Sequence, residues 1–457
     1  MTLASDARSI FRAGVAAVDP ARAVRANLSR STSGLRVGGR TLSTGPRESV
    51  RLVAVGKAAG AMLDAAARVV GGVAEGIAVT PRGFPGPHSG LPVLFGEHPV
   101  PGAGSFRAGD RLLEFVARSG PEELVLFLVS GGGSAVAEVP AGTLRNSDLA
   151  RTTELLLRSG APIGTMNAIR RHLSRIKGGQ LAAAVPSGRF ATLALSDVVG
   201  DAPEDIASGP TVPDPSTFRG ALAGADRYRL SGRLPARARD YLEEGARGRM
   251  PETPKPGDPR FRTTPFVLVG SNRHALLVAA RKATQIGYRT EVVARPITGE
   301  TRPAAERFAR RLVSMPTAPP HALLAGGETT VRLGARPGRG GRNQQFALAS
   351  AGILEGRRAA ILSAGTDGVD GPTDAAGAWV DGSTRGEAAR HGVDIGRALA
   401  RHDAYPALER LGLLLRTGPT GTNVTDLHIG LVGASVNRGT GGSSSRDGAP
   451  TNRRRRS

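Results

Sequence analysis

Residues 124–129 read LVLFLV, six apolar positions with no alternation, and run straight into SGGGSA. A strand with one wet face alternates apolar and polar side chains. An unbroken apolar run of this length requires cover on both faces, as in a parallel sheet flanked by helices. Similar short runs recur: RLVAVG (51–56), GIAVT (76–80), FATLALS (190–196), FVLVGS (266–271), HALLAGGE (321–328) and RAAILSAG (358–365). Segments of helical period stand between them, for example at 5–18, 147–159, 166–185, 273–287, 301–314, 343–354 and 383–401. The pattern predicts an α/β protein built on mainly parallel sheets.

A chain of 457 residues exceeds what one hydrophobic core usually serves, so two domains are expected. The stretch PETPKPGDPRFRTTP is the best candidate for a connection between them. The expected division is 1–250, a Pro-rich linker at 251–264, a second α/β run at 265–436 and a basic, Gly/Ser-rich tail at 437–457. There is no cysteine, which excludes disulfides, thiolate metal sites and a cysteine nucleophile. No apolar run approaches the roughly 18 residues of a membrane span, and no secretory h-region opens the chain, so a cytoplasmic protein without a membrane partner is expected.

The net charge of +22 raises nucleic acid as a partner. Only four of the 61 basic residues are lysine (Lys57, Lys177, Lys255 and Lys282), and the arginines are dispersed rather than gathered on one face. Dispersal argues against a specific nucleic-acid site and leaves a surface that attracts small anions. Where arginine has nearly displaced lysine, a surviving lysine marks a place for a compact ammonium.

In open α/β sheets, ligands sit beyond the carboxyl ends of the strands. Here those positions carry an unusual set. Lys57 opens a helix directly after a strand, where a cation serves a transferring phosphoryl group or merely caps an exposed helix start. Ser130, Gly131, Gly132, Gly133 and Ser134 form a loop whose amides suit an anion, or a tight turn with no ligand. Asp197 and Asp201 follow the strand at 190–196 and could share Mg²⁺, or divide into base and ligand. Asn272 follows FVLVG. GRGGRNQQ places Arg342 among glycines, and TGTNVTDL offers Asn423 with Asp426. Finally, SAGTDGVDGPTDAAGAW holds Asp367, Asp370 and Asp374 in one loop. Mg²⁺ commonly uses only one or two protein carboxylates. Asp367 is therefore the first choice for metal or substrate, Asp370 the second, and Asp374 a turn cap.

Together, VAVGKAAGAM, VSGGGSAVAEVP, MNAIRRHLSRIKGGQLA, LSDVVGDAPEDIASGPTVPDPSTF, LVGSN, AGGETTV, GRGGRNQQFAL, SAGTDGVDGPTDAAGAW and TGPTGTNVTDLHIGL resemble glycerate kinases of the MOFRL type, over roughly 5–435. The resemblance implies a Rossmann-like three-layer N-terminal domain and a MOFRL-type α/β C-terminal domain, with the active site in the cleft between them. It also implies phosphorylation of D-glycerate to 2-phosphoglycerate by ATP with Mg²⁺, in a monomer or homodimer. Carried onto matching positions, Lys57 and Arg342 resemble the family's two cationic residues, and Asp197 its catalytic or metal-binding aspartate. Relatives often bear the label hydroxypyruvate reductase, but the dinucleotide fingerprint G-x-G-x-x-G is absent. An NAD(P)H-dependent reductase and a nucleic-acid-binding protein remain the competing expectations.

Overall fold

The computed structural model describes residues 2–42, 49–71, 75–334 and 337–433; the basic tail lies outside the described residues. After an N-terminal helix (Leu3–Ala17) and a short one (Pro20–Asn27), a small antiparallel meander forms from β1 (Leu28–Ser31), β2 (Gly34–Val37) and β3 (Arg40–Leu42). The first large sheet comprises β4 (Val50–Val55), β5 (Glu75–Pro81), β6 (Val93–Gly96), β7 (Leu124–Val129), β8 (Phe190–Leu195) and β9 (Phe266–Gly270). Its order is β6-β5-β4-β7-β8-β9 and every pairing is parallel. All six residues of β7 are buried, as their unbroken apolarity requires.

The second sheet contains β10 (Arg289–Val292), β11 (Ile297–Glu300), β12 (His321–Thr330), β13 (Ala359–Gly365), β14 (Gly377–Asp381), β15 (Leu414–Leu415) and β16 (Asp426–Val432). Its order is β10-β12-β16-β13-β14-β15, with β11 beside the end of β12. Only β10 and β11 run parallel to β12; the other pairings are antiparallel. This sheet is therefore mixed, because β13 and β14 pair antiparallel and the late strand β16 inserts between β12 and β13.

Three further features depart from the expected layout. The strand at 266–270 completes the edge of the first sheet by pairing with β8, instead of opening the second. The Pro-rich stretch is strapped to the first half: Thr253 Oγ1 donates to Asp214 at 2.9 Å, and Asp214 N donates to Pro254 O at 2.8 Å. The N-terminal helix packs on the second sheet and on the helix Asn272–Gln285, where Tyr288 OH donates to the buried Asp6 at 2.8 Å. One apolar cluster consequently runs through both halves, from Ile10 and Leu63 to Leu324 and Ile429. Two expected helices are also divided: 166–185 breaks into Ile163–His172 and Gln180–Ala183, with Gly178 and Gly179 at positive φ just before the second, and Gly392 splits 383–401 into Thr384–Arg390 and Ile395–Ala400.

Candidate active site

In the first sheet, β4 sends its chain to β5 and β6 on one side, while β7, β8 and β9 lie on the other. The loops after β4 and β7 stand at this divergence, where α/β sheets place their ligands. They are stitched together. Lys57 N donates to Gly131 O at 2.9 Å, and the buried Ser130 hydroxyl accepts from Ala58 N at 3.1 Å and donates to Val55 O at 3.3 Å. Asp197, after β8, lies directly on Gly131, where any Cβ would collide with its carboxylate. The Lys57 and Asp197 side chains thus reach a cleft of about 710 Å³ whose far wall is the second sheet.

That far wall is built around Arg342, the first residue of the helix Arg342–Leu354. Its Nε and Nη2 clasp Asp426 at 2.6 and 3.0 Å, a bidentate fork, while Nη1 reaches Glu328 at 2.7 Å. Asp426 is fully buried. Burial lowers the charged form of Arg342, but these carboxylates outweigh it and raise its pKa above the ordinary value. Asp367, after β13, brings Oδ2 to 3.8 Å from Lys57 Nζ across the cleft. Lys57 also lies 5.6 Å above the Phe84 ring.

The electrostatics separate the carboxylates. Burial pushes Asp197 up to about 6; Lys57 opposes the shift, and Glu328 and Asp367 add to it. Burial likewise raises Glu328, with Arg342 pulling it back. His98, on the cleft wall, is held neutral, at about 4, by burial and by Lys57 and Arg170. Asp370 is pushed up to about 7 by burial against the pull of two amides.

Several expected site residues have other employment. Asp370 caps the Arg342 helix, with Oδ1 accepting from Asn343 N at 3.0 Å and Oδ2 from Gln344 N at 2.8 Å. Gly341 is required there, since a Cβ would strike that carboxylate. Asp374, expected as the cap, instead meets Tyr405 OH at 2.6 Å and Arg416 at 2.9 Å on the surface. Asp370 thus takes the capping role expected of Asp374, while Asp374 makes surface contacts instead. Asp201 lines a neighbouring cavity, apart from the cleft that Asp197 lines.

Asn272 sews its helix to the second sheet by donating to Val424 O, Thr425 Oγ1 and Asp426 O at 2.9–3.0 Å. Asn423 lines the cleft and accepts from Thr425 N at 3.2 Å. None of residues 130–134 is among the cleft-lining residues. Within this loop, Ser134 Oγ meets Ser208 Oγ at 2.6 Å, and Ser134 O accepts from Arg170 at 2.9 Å.

Glu328, His98 and Phe84 were not singled out from the sequence. An acid straight after two glycines at the end of an apolar run was a signal for Glu328. Asp426, at the head of the wholly buried strand DLHIGLV, carried a similar one.

Among the described residues, no three His, Asp or Glu side chains converge as a ready-made metal cage. The donor chemistry still suits Mg²⁺, which needs one or two carboxylates and takes its remaining ligands from phosphate and water. Burial raises the proton affinity of Asp197, Glu328 and Asp367 add to the shift, and a cation beside them would relieve that repulsion.

The family model described as a domain of unknown function, DUF4147, matches residues 6–243, and the MOFRL family model matches 321–426. A Pyrococcus horikoshii protein named glycerate 2-kinase is 37% identical, over 92% of this chain and 94% of that one. An Agrobacterium vitis protein named putative hydroxypyruvate reductase is 39% identical, over 93% of this chain and 94% of its own. The crystal structure of glycerate kinase from Thermotoga maritima matches with a TM-score of 0.79 at 37% identity, covering 94% of this chain and 99% of that one. The class is thus a kinase of two α/β sheets. The chain belongs to the DUF4147–MOFRL glycerate kinase family.

Proposed function

We propose that this protein is a cytoplasmic glycerate 2-kinase, monomeric or homodimeric, that transfers the γ-phosphoryl of ATP to the 2-hydroxyl of D-glycerate with Mg²⁺. The observation that carries the reading is the pairing of Lys57 and Arg342, one from each half of the chain, on one cleft with Asp197. Phosphoryl transfer needs little covalent chemistry from a protein and much placement of charge, and this cleft supplies both signs.

In the proposed reaction, the Asp197 carboxylate accepts the proton of the glycerate 2-hydroxyl. The hydroxyl oxygen forms its bond to the γ-phosphorus as the bond to the β–γ bridging oxygen breaks, and ADP leaves. With a pKa of about 6, Asp197 is largely ionised at neutral pH yet basic enough to take a proton. Lys57 has one loose ionic partner and is free to follow the transferred group. Arg342 is fixed in place by Asp426 and presents a charge that needs no reorganisation. Asp367 and Glu328 would hold Mg²⁺, which when bound neutralises phosphate charge, leaving the Asp197 carboxylate to serve as the base. Asp201 and Asp370 leave the proposed metal set, one facing another cavity and the other occupied by amides.

The test is a coupled assay with ATP, Mg²⁺ and D-glycerate, with the product resolved as 2- or 3-phosphoglycerate. ATP-dependent formation of the 2-isomer supports the reading. NADH consumption with hydroxypyruvate, without kinase turnover, would replace it with the reductase.

A further inference from the structure

Beside the charged cleft lies a second cavity, of about 470 Å³. It opens beyond the carboxyl ends of β8, β9 and β10, within the size range of small-molecule sites, roughly 300–1,000 Å³. Its character is different. Val198, Val199, Leu276, Leu277, Val292 and Pro296 supply apolar walls. Val199 and Leu277 are 38% and 43% exposed, two of only six large apolar side chains so exposed among the described residues. Asp201, Asn272 and Arg273 add polar groups to the lining.

The two cavities are walled by the same segments. The loop after β8 places Asp197 in the cleft and Val198–Asp201 in the second cavity. Strand β12 gives Gly326 and Gly327 to the second cavity and Glu328 and Thr329 to the cleft, and Thr425 borders both. A ligand crossing these segments would keep an apolar end in one space and a charged end in the other.

We infer that the second cavity holds the purine base and ribose of the nucleotide, whose phosphates extend past Gly327 to Lys57 and Arg342. The assignment rests on the ATP-dependent reading above. Glycerate, a three-carbon hydroxy acid, has almost no apolar surface to bury, whereas a purine has two faces that gain from Leu277 and Val199. Asp201 is held at φ +56, in the left-handed region that side-chain-bearing residues seldom occupy. Asp201 is among the residues lining the cavity, and a carboxylate there is an acceptor for ribose hydroxyls. Arg273, near the start of a 14-residue helix, adds positive charge to the lining of this cavity.

The experiment titrates ADP and, separately, inorganic tripolyphosphate into wild type, Leu277→Glu and Val199→Trp, followed by calorimetry. Both positions are exposed, so either variant is expected to fold, and melting curves verify it. The expected result is a loss of ADP affinity of roughly tenfold or more with tripolyphosphate affinity unchanged. The KM for ATP rises in parallel while that for glycerate stays put. Unchanged ADP affinity in both variants, or equal loss for ADP and tripolyphosphate, overturns the assignment. If the wild type phosphorylates glycerate with ATP but the variants are indifferent, only this inference falls. If the wild type neither binds ADP nor turns over ATP, the kinase reading falls with it.

Discussion

The two walls of the cleft are built on opposite plans. The first-sheet wall presents Lys57, whose one ionic contact is 3.8 Å long, and Asp197, seated on a glycine with its pKa displaced upward. The second-sheet wall is tied down: Arg342 holds two carboxylates and stands on a helix capped by Asp370. A group with slack partners can exchange them for substrate at little cost to the fold. A group that neutralises a buried carboxylate holds up structure as well. The first wall should therefore be separable from stability and the second should not.

The largest expected effect tests that difference on the second wall. Arg342→Ala should lower kcat by about 10²–10³-fold and cost about 3 kcal/mol of stability, because Asp426 is left buried and unpaired. Adding Asp426→Asn should restore much of the melting temperature and none of the turnover. Recovery of both in the double variant would sink the catalytic role of Arg342.

Lys57→Ala should lower kcat by a similar factor while the melting temperature moves by no more than about 2 °C. A large drop in melting temperature would erase the contrast between the walls. Asp197→Asn sharpens it through pH. A base is active only when ionised, so wild-type kcat should climb as pH rises through about 6, the value to which burial pushes this group. The variant should lose that limb along with about 10²–10⁴ in rate. A limb that survives in Asp197→Asn assigns the base elsewhere.

Asp370→Ala removes a helix cap and should cost about 1–2 kcal/mol, with kcat falling only as far as Arg342 is displaced. Smallest of all, Asp374→Ala cuts surface contacts with Tyr405 and Arg416 and should change neither rate nor melting. Reversal of that order between Asp370 and Asp374 would contradict the roles seen here.

The first sheet was legible because its strands are buried on both faces and say so in their composition; β4, β5, β7 and β8 fall where their apolar runs stand. The short strands β6, β11, β14 and β15 were not foreseen, since two to five residues carry too little pattern to separate from a loop. The aspartates were legible as a group and not as individuals. Asp370 and Asp374 have similar neighbours in the sequence, and what distinguishes them is a helix start some 30 residues earlier in the chain. Ser130 is ambiguous in the sequence because small polar residues among glycines serve anions and tight packing equally well. Here Gly131 makes room for Asp197, while Ser130 sews two loops together.

What the sequence determined by itself was the α/β class, the sites where chemistry could stand and the candidacy of Lys57, Asp197 and Arg342. Each follows from local properties: an unbroken apolar run, a charged residue at a strand end, a lysine retained against an arginine bias. Only the tertiary structure decided that Phe266–Gly270 belongs to the first sheet, that β16 runs antiparallel through the second, and that Asp367 rather than Asp370 faces Lys57. Hydrophobic pattern reports that a segment is buried and does not name its neighbour. A carboxylate's role is set by the amides, cations and water around it, and these come from distant parts of the chain.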